Sequence, residues 1–214
     1  MRISKESLLH LLSNCPSLKW LNLGLPEEDF LSDEKPSMME LFKCLPVIEH
    51  LKTWGYIVRL KSLGEVSVPK ELLPSLIHLK YVSIVQMCFV DGYGLHSLAV
   101  LIKCCPNLEK LKLVIDTDWD TENVIESAVL EEYSDVWLEH LNELKINFFL
   151  NNKSELEFVK FILARSPSLK KVMLLAWIAD KNEELELSKI LSSAPHASPV
   201  EIVVKNRYIK ISDD

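Results

Sequence analysis

A short motif repeats six times along this chain of 214 residues and limits the folds that it can adopt. Its clearest copy is Cys105-Pro106-Asn107-Leu108-Glu109-Lys110-Leu111-Lys112-Leu113, whose apolar positions read Leu-x-x-Leu-x-Leu. The first apolar position recurs every 28 to 33 residues, at Leu18, Ile48, Leu79, Leu108, Leu141 and Leu169. Such a period is typical of repeat proteins, in which each unit buries its apolar face against the next. We therefore predict one continuous stack.

Each repeat is predicted to contain a helix, a proline and a strand. The end of the motif alternates apolar and polar residues, as a strand with one buried face requires. The first repeat places a leucine-rich helical stripe at residues 8–12 ahead of Pro16, and proline disfavours helical conformation in the residue before it. A capping box of Ser154 and Glu157 is predicted to start the helix of the fifth repeat. After the second strand, residues 57–69 are predicted to be extended rather than helical, and a seventh strand is expected at residues 200–204.

The predicted fold is an irregular α/β leucine-rich-repeat solenoid, a horseshoe with parallel strands on the concave face and helices or extended connections on the convex face. Polar and aromatic residues between the aliphatic positions would line the concave face. Lysine is an ordinary residue on a solvated sheet, and a neighbouring loop could cover the aromatic side chains. Aromatic residues among polar ones are nevertheless typical of a protein interface. The predicted partner-binding residues are Trp20, Asn22, His50, Lys52, Trp54, Tyr81, Ser83, Lys110, Lys112, Glu143, Lys145, Lys171 and Met173.

The net charge and the hydropathy pattern indicate an intracellular protein. The formal charge is −7, which gives no support to a nucleic-acid or anionic-membrane surface. No run of eighteen apolar residues occurs, and the acidic residue Glu6 interrupts any leader-like start. We expect a protein of the cytoplasm, the nucleus or both, with no nucleic-acid or membrane partner.

The cysteines are predicted to pack as small buried residues. Their number is odd and no Cys-x-x-Cys pair occurs, which disfavours a disulfide framework or a zinc site. They are Cys15, Cys44, Cys88, Cys104 and Cys105.

The sequence shows no pattern typical of a catalytic, cofactor or metal site. Residues 116–120 alternate aspartates as a calcium loop does, but Thr121 and Ser127 replace the glycine and the final glutamate of that loop. An acidic loop before a short helix near residues 124–133 is the preferred interpretation. The six histidines are scattered, and no phosphate-loop, dinucleotide or nucleophile motif is present. We predict a protein that is not an enzyme and that needs neither cofactor nor metal.

Several stretches resemble the plant F-box/FBD/LRR-repeat family. In the repeats these are Pro46-Val47-Ile48-Glu49-His50-Leu51, Leu73-Pro74-Ser75-Leu76 and Cys105-Pro106-Asn107-Leu108. Further along, Glu155-Leu156-Glu157-Phe158-Val159 and Ala197-Ser198-Pro199-Val200-Glu201-Ile202 resemble the FBD region of that family. The resemblance implies leucine-rich repeats at 1–136, an FBD region at 137–205 that continues the same stack, and a tail at 206–214.

The resemblance also implies a function. Members of this family would use the repeats as the substrate-recognition arm of an SCF-type ubiquitin ligase, while an F-box binds the Skp1 adaptor. Met1 leads directly into a repeat helix, so an F-box is missing here and Skp1 is expected as a partner only if one lies upstream. The alternative is a free-standing repeat scaffold for protein-protein interaction that has no link to ubiquitination.

Overall fold

The computed structural model of the chain describes residues 3–24, 36, 38–58, 76–89, 93–116, 128–178 and 180–206. Strands and helices follow one another along these residues. The strands are β1 (Trp20–Asn22), β2 (His50–Trp54), β3 (Tyr81–Met87), β4 (Lys110–Ile115), β5 (Glu143–Phe149), β6 (Lys171–Ala176) and β7 (Glu201–Asn206). The helices are α1 (Lys5–Ser13), α2 (Met38–Lys43), α3 (Gly55–Val58), α4 (Tyr93–Lys103), α5 (Ala128–Glu131), α6 (Lys153–Arg165) and α7 (Lys181–Ser193).

The seven strands form one parallel sheet in which each strand pairs with the next one in the sequence. Equivalent positions of the motif are register partners across the sheet. One such row contains Leu21, Leu51, Val82, Leu111, Leu144, Val172 and Ile202. The sequence period is thus the spacing of neighbouring strands, and the predicted α/β repeat fold is confirmed.

A tight turn leads into the strand of each repeat. The N–H of the first apolar residue donates to the carbonyl three residues earlier, for example from Leu108 to Cys105 at 3.1 Å and from Leu169 to Ser166 at 3.1 Å. Proline follows the accepting residue in four copies, as Pro106 does after Cys105. Proline fixes the backbone angle that the second position of such a turn needs and gives up no required N–H. The same residue therefore ends the helix and begins the turn.

The hydrophobic core lies between the sheet and its helices. Leu111, Leu113 and Ile146 of the strands are at most 1% exposed, and they belong to the same buried cluster as Leu98 and Phe158 of the helices. Thr53 replaces an aliphatic residue at one inward position. It is also buried, and its hydroxyl finds no hydrogen-bond partner among the described residues. The inward side of the strands is therefore structural.

Two predictions of local secondary structure are wrong. Residues 57 and 58 were expected in an extended connection, but they belong to the helical turn α3, and residues 59–75 lie outside the described part. The capping box of α6 consists of Asn152 and Glu155 rather than Ser154 and Glu157. Asn152 accepts from the Glu155 N–H at 2.9 Å, and the Glu155 carboxylate accepts from the Asn152 amide at 2.8 Å. The helix starts two residues earlier because Asn152 provides the cap.

Cys15 is exposed rather than buried, Cys44 is half-buried, and Cys88, Cys104 and Cys105 are buried as predicted. Strand β7 includes Asn206, the first residue of the predicted tail. The rest of that tail, residues 207–214, lies outside the described residues, as do residues 117–127 of the acidic loop.

Candidate protein-binding surface

The strand side chains that do not enter the core form the open face of the sheet, which has three rows of register partners. The first row is Trp20, His50, Tyr81, Lys110, Glu143, Lys171 and Glu201. The second row is Asn22, Lys52, Ser83, Lys112, Lys145, Met173 and Val203. The third row is Trp54, Val85, Val114, Asn147, Leu175 and Lys205. All thirteen predicted binding residues fall in these rows.

Aromatic rings occupy the N-terminal part of the first row. The rings of Trp20 and His50 stack with centroids 4.7 Å apart, and His50 lies 5.9 Å from the ring of Tyr81. Neighbouring strands are about 4.8 Å apart, so register partners on one face are held at stacking distance. Trp20 is still 64% exposed. This aromatic cluster presents a large apolar area to solvent on a rigid base.

Charges of alternating sign continue the first row. The Lys110 ammonium lies 3.2 Å from the Glu143 carboxylate, and the Lys171 ammonium lies 3.8 Å from the Glu201 carboxylate. These pairs are partly solvated, so each stabilises the fold by at most about 1 kcal/mol. Opposite charges on neighbouring strands also favour the observed register. The charges of the first row are therefore satisfied within the sheet.

A second series of alternating charges lies one residue earlier, where the chain enters the strands. Lys19 is 2.7 Å from Glu49, and Lys80 is 3.4 Å from Glu109. The hydrogen bond from the Lys19 ammonium holds the pKa of Glu49 below its usual value. These pairs border the open face and also favour the observed register of the neighbouring strands.

The second row differs because its lysines are not paired. Lys52, Lys112 and Lys145 have no carboxylate within ion-pair distance among the described residues, and Lys112 and Lys145 are direct register partners. Like charges placed opposite each other on neighbouring strands are destabilising. Ser83 of the same row was predicted to contact a partner, but it is only 1% exposed. Its short side chain does not reach the surface between longer neighbours.

The third row is mostly apolar and was largely missed by sequence reasoning. Trp54 was predicted, but Val85, Val114 and Leu175 lie beyond the end of the repeated motif. They are half-buried on the open face. Continued alternation beyond the motif would have identified them, because each stands two positions after a second-row residue.

Bulges interrupt β3 and β5, and the bulge in β5 adds an aromatic side chain that alternation could not predict. Gln86 and Phe148 have positive φ angles of 56° and 61°, and the register shifts by one residue at each. The extra residue returns Phe149 to the core and leaves Phe148 half-buried, with its ring centroid 6.4 Å from that of Trp177. A positive φ is uncommon for a bulky residue. The bulge therefore extends the apolar area at the ends of β5 and β6.

The described residues contain no group of three side chains that could hold a metal ion. Burial raises the pKa of the Cys104 thiol to about 11 and that of the neighbouring Cys105 thiol well above its usual value. Neither cysteine is thus present as the reactive thiolate near neutral pH.

Among the described helices, none has the length and apolar character needed to cross a membrane.

Comparison with known proteins places the chain in a family. Residues 36–194 match the family model described as At1g61320/AtMIF1, LRR domain. The F-box/FBD/LRR-repeat protein At1g13570 of Arabidopsis thaliana is 29% identical over 201 residues, which cover 88% of this chain and 46% of that protein. The chain therefore spans about half the length of this relative. Since the model covers most of the chain, the chain belongs to the At1g61320/AtMIF1 leucine-rich-repeat family.

Proposed function

We propose that this chain is a protein-binding module that holds its partner on the open face of the sheet. The aromatic cluster carries this proposal, because Trp20 is 64% exposed although its ring stacks on His50, and strand register holds His50 beside Tyr81. Exposed aromatic side chains on a rigid surface are typical anchors of protein interfaces. The repeat family and the F-box/FBD/LRR-repeat relative support a role in protein interaction.

The proposal includes the biological setting of this binding. The module would be the substrate-recognition arm of an SCF-type ubiquitin ligase, and the bound protein would be a ubiquitination substrate. The name of the relative supports this, since it joins an F-box to an FBD region and leucine-rich repeats. Under this proposal the chain itself is not an enzyme and acts in the cytoplasm or the nucleus.

Two structural details belong to the same proposal. The stack would curve so that the open face is the concave side of a horseshoe, because helices are bulkier than strands. Residues 137–205 would be the FBD region, and the regular pairing of β4 with β5 supports its being part of the same stack. The family match at residues 36–194 also extends across this boundary.

Mutation of the open face tests the binding role. The immobilised chain would capture a protein from an extract of its source tissue, and the captured protein would then be purified for affinity measurements. Trp54→Ala and Tyr81→Ala should each weaken binding by about 30-fold, the effect of losing an interface anchor. Trp137→Ala is the matched control, because Trp137 is 52% exposed but lies outside the sheet. Equal affinities for all four proteins would refute binding by the open face.

Association with the ligase requires a separate experiment. The complete gene product that contains this sequence would be tagged in cells and precipitated, and the precipitate would be examined for the Skp1 adaptor and a cullin. Both are expected, and the captured partner should accumulate when the gene is deleted. A precipitate without Skp1 would refute the ligase role and leave a free-standing protein-binding scaffold.

A further inference from the structure

The open face has a charge opposite to that of the chain as a whole. Its three rows contain six lysines and two glutamates, a balance of +4. The whole chain carries −7, so the remaining residues carry −11. A face whose sign differs from that of the rest of the molecule favours approach of a partner of complementary charge in one orientation.

The unpaired positive charge of the open face lies in the second row, where no carboxylate of the described sheet compensates it. Both glutamates of the open face, Glu143 and Glu201, are already held by lysines of the first row. Lys52, Lys112 and Lys145 of the second row have no carboxylate within ion-pair distance among the described residues. The pairing of Lys112 with Lys145 across β4 and β5 is unfavourable for the isolated sheet. Negative charges from another molecule would relieve it.

We propose that the open face binds an acidic, extended segment of a protein partner that crosses the strands along the second row. This inference rests on the proposed function and specifies the chemistry of the partner. Lys52 and Lys145 are three strands apart, which is about 14 Å. An extended segment rises about 3.3 Å per residue, so about five residues cover this distance. Aspartates and glutamates within those five residues can reach the three lysines.

Apolar side chains of the same segment contact the rows on either side. Val85, Val114 and Leu175 of the third row offer an aliphatic strip, and the aromatic cluster offers ring faces at the end of the first row. Side chains alternate along an extended segment, so acidic and apolar residues in alternation meet the second row and its neighbours. The aliphatic strip favours a protein segment over a nucleic acid, whose bases stack on aromatic rings and whose phosphates need many cations.

Selection from a library of random 12-residue peptides displayed on phage tests the inference, because the library contains acidic, neutral and basic segments alike. The complete chain would be compared with the triple variant K52E/K112E/K145E. The matched control is K43E/K181E/K189E, which changes the net charge equally at exposed helical positions. The selected peptides would then be synthesised with a fluorescent label, and their affinities would be measured by anisotropy at low and moderate salt. Oligothymidylate of twenty nucleotides is a second labelled probe.

The unmodified chain and the control variant should select peptides with three or more acidic residues among five consecutive ones. The variant K52E/K112E/K145E should bind those peptides at least about tenfold more weakly, and added salt should weaken binding to the unmodified chain. Selection of neutral or basic peptides would overturn the inference, as would equal binding by both triple variants. Tighter binding of oligothymidylate than of the selected peptides would also overturn it.

One further variant separates this inference from the proposed function. Trp54→Ala should weaken every peptide that binds the open face, whatever its charge. If the selected peptides are not acidic but lose affinity in Trp54→Ala, only the acidic segment is refuted. If no peptide is selected, or if Trp54→Ala has no effect on those selected, binding of a segment to the open face is refuted as well.

Discussion

The buried carboxyl group of Glu155 should make the stability of this protein fall as the pH rises from 4.5 to 7. Its side chain is fully buried, and burial raises its pKa from 4.5 to about 7. The backbone N–H groups of Leu150 and Asn151 donate to this carboxylate at 2.7 and 3.0 Å and offset part of the burial. The folded state therefore holds a proton in a pH range where the unfolded state has released it.

The sign and size of the effect follow from this difference. Below pH 4.5 the carboxyl group is protonated in both states, and its contribution to stability is complete. Between pH 4.5 and 7 the folded protein binds more protons than the unfolded chain, so the free energy of unfolding decreases. A rise of the pKa from 4.5 to about 7 corresponds to a loss of about 3 kcal/mol, which is complete above pH 7. A comparison with a variant that lacks the Glu155 carboxyl group isolates its contribution from that of other groups.

Urea unfolding followed by circular dichroism at pH 5, 6, 7 and 8 measures the effect. Glu155→Gln should lose the decline, because the amide oxygen can accept from Leu150 and Asn151 at every pH. The variant should therefore become more stable than the unmodified protein at pH 8. Glu157→Gln on the same helix should keep the decline, since Glu155 is still present. Equal pH profiles for Glu155→Gln and the unmodified protein would show that the N–H groups of Leu150 and Asn151 and the Asn152 side-chain amide keep this carboxylate ionised.

Two further predictions concern close contacts and thiols. Gly55→Ala should lower the free energy of unfolding by about 1–3 kcal/mol in urea titrations, because a Cβ there would collide with the backbone carbonyl of Gln86. Gly24→Ala should change it by less than about 0.5 kcal/mol, since a Cβ there would meet only the Asn22 side chain at 3.8 Å, and equal effects would contradict the collision. Iodoacetamide should alkylate the exposed Cys15 in the folded protein at pH 8 and spare Cys105, whose thiol is buried with a raised pKa. Mass spectrometry of digests would measure both rates, and similar rates would refute the assigned burial.

The residues of the open face could be predicted from the sequence where apolar and polar residues alternate regularly along a strand. They could not be predicted where burial by neighbours or a bulge intervenes. Trp20, His50 and Tyr81 were placed on one face because each stands at the same position of its motif, and strand register then brought their rings together. Ser83 of the second row lies on the same face but is buried, because exposure depends on the length of the side chains around it. Phe148 was missed because a bulge changes the alternation after Asn147.

The sequence by itself determined the repeat, the order of helix and strand, and the side of the sheet to which most strand residues belong. These properties depend on local periodicity and on proline, which act over a few residues. The tertiary structure decided the bulges at Gln86 and Phe148, the capping of α6 by Asn152, and which lysines are paired. Lys110 meets Glu143 and Lys112 meets Lys145 only because strands about 33 residues apart in the sequence stand side by side. No pattern within a single repeat contains that information, because each charge is compensated or left unpaired by a residue of the next repeat.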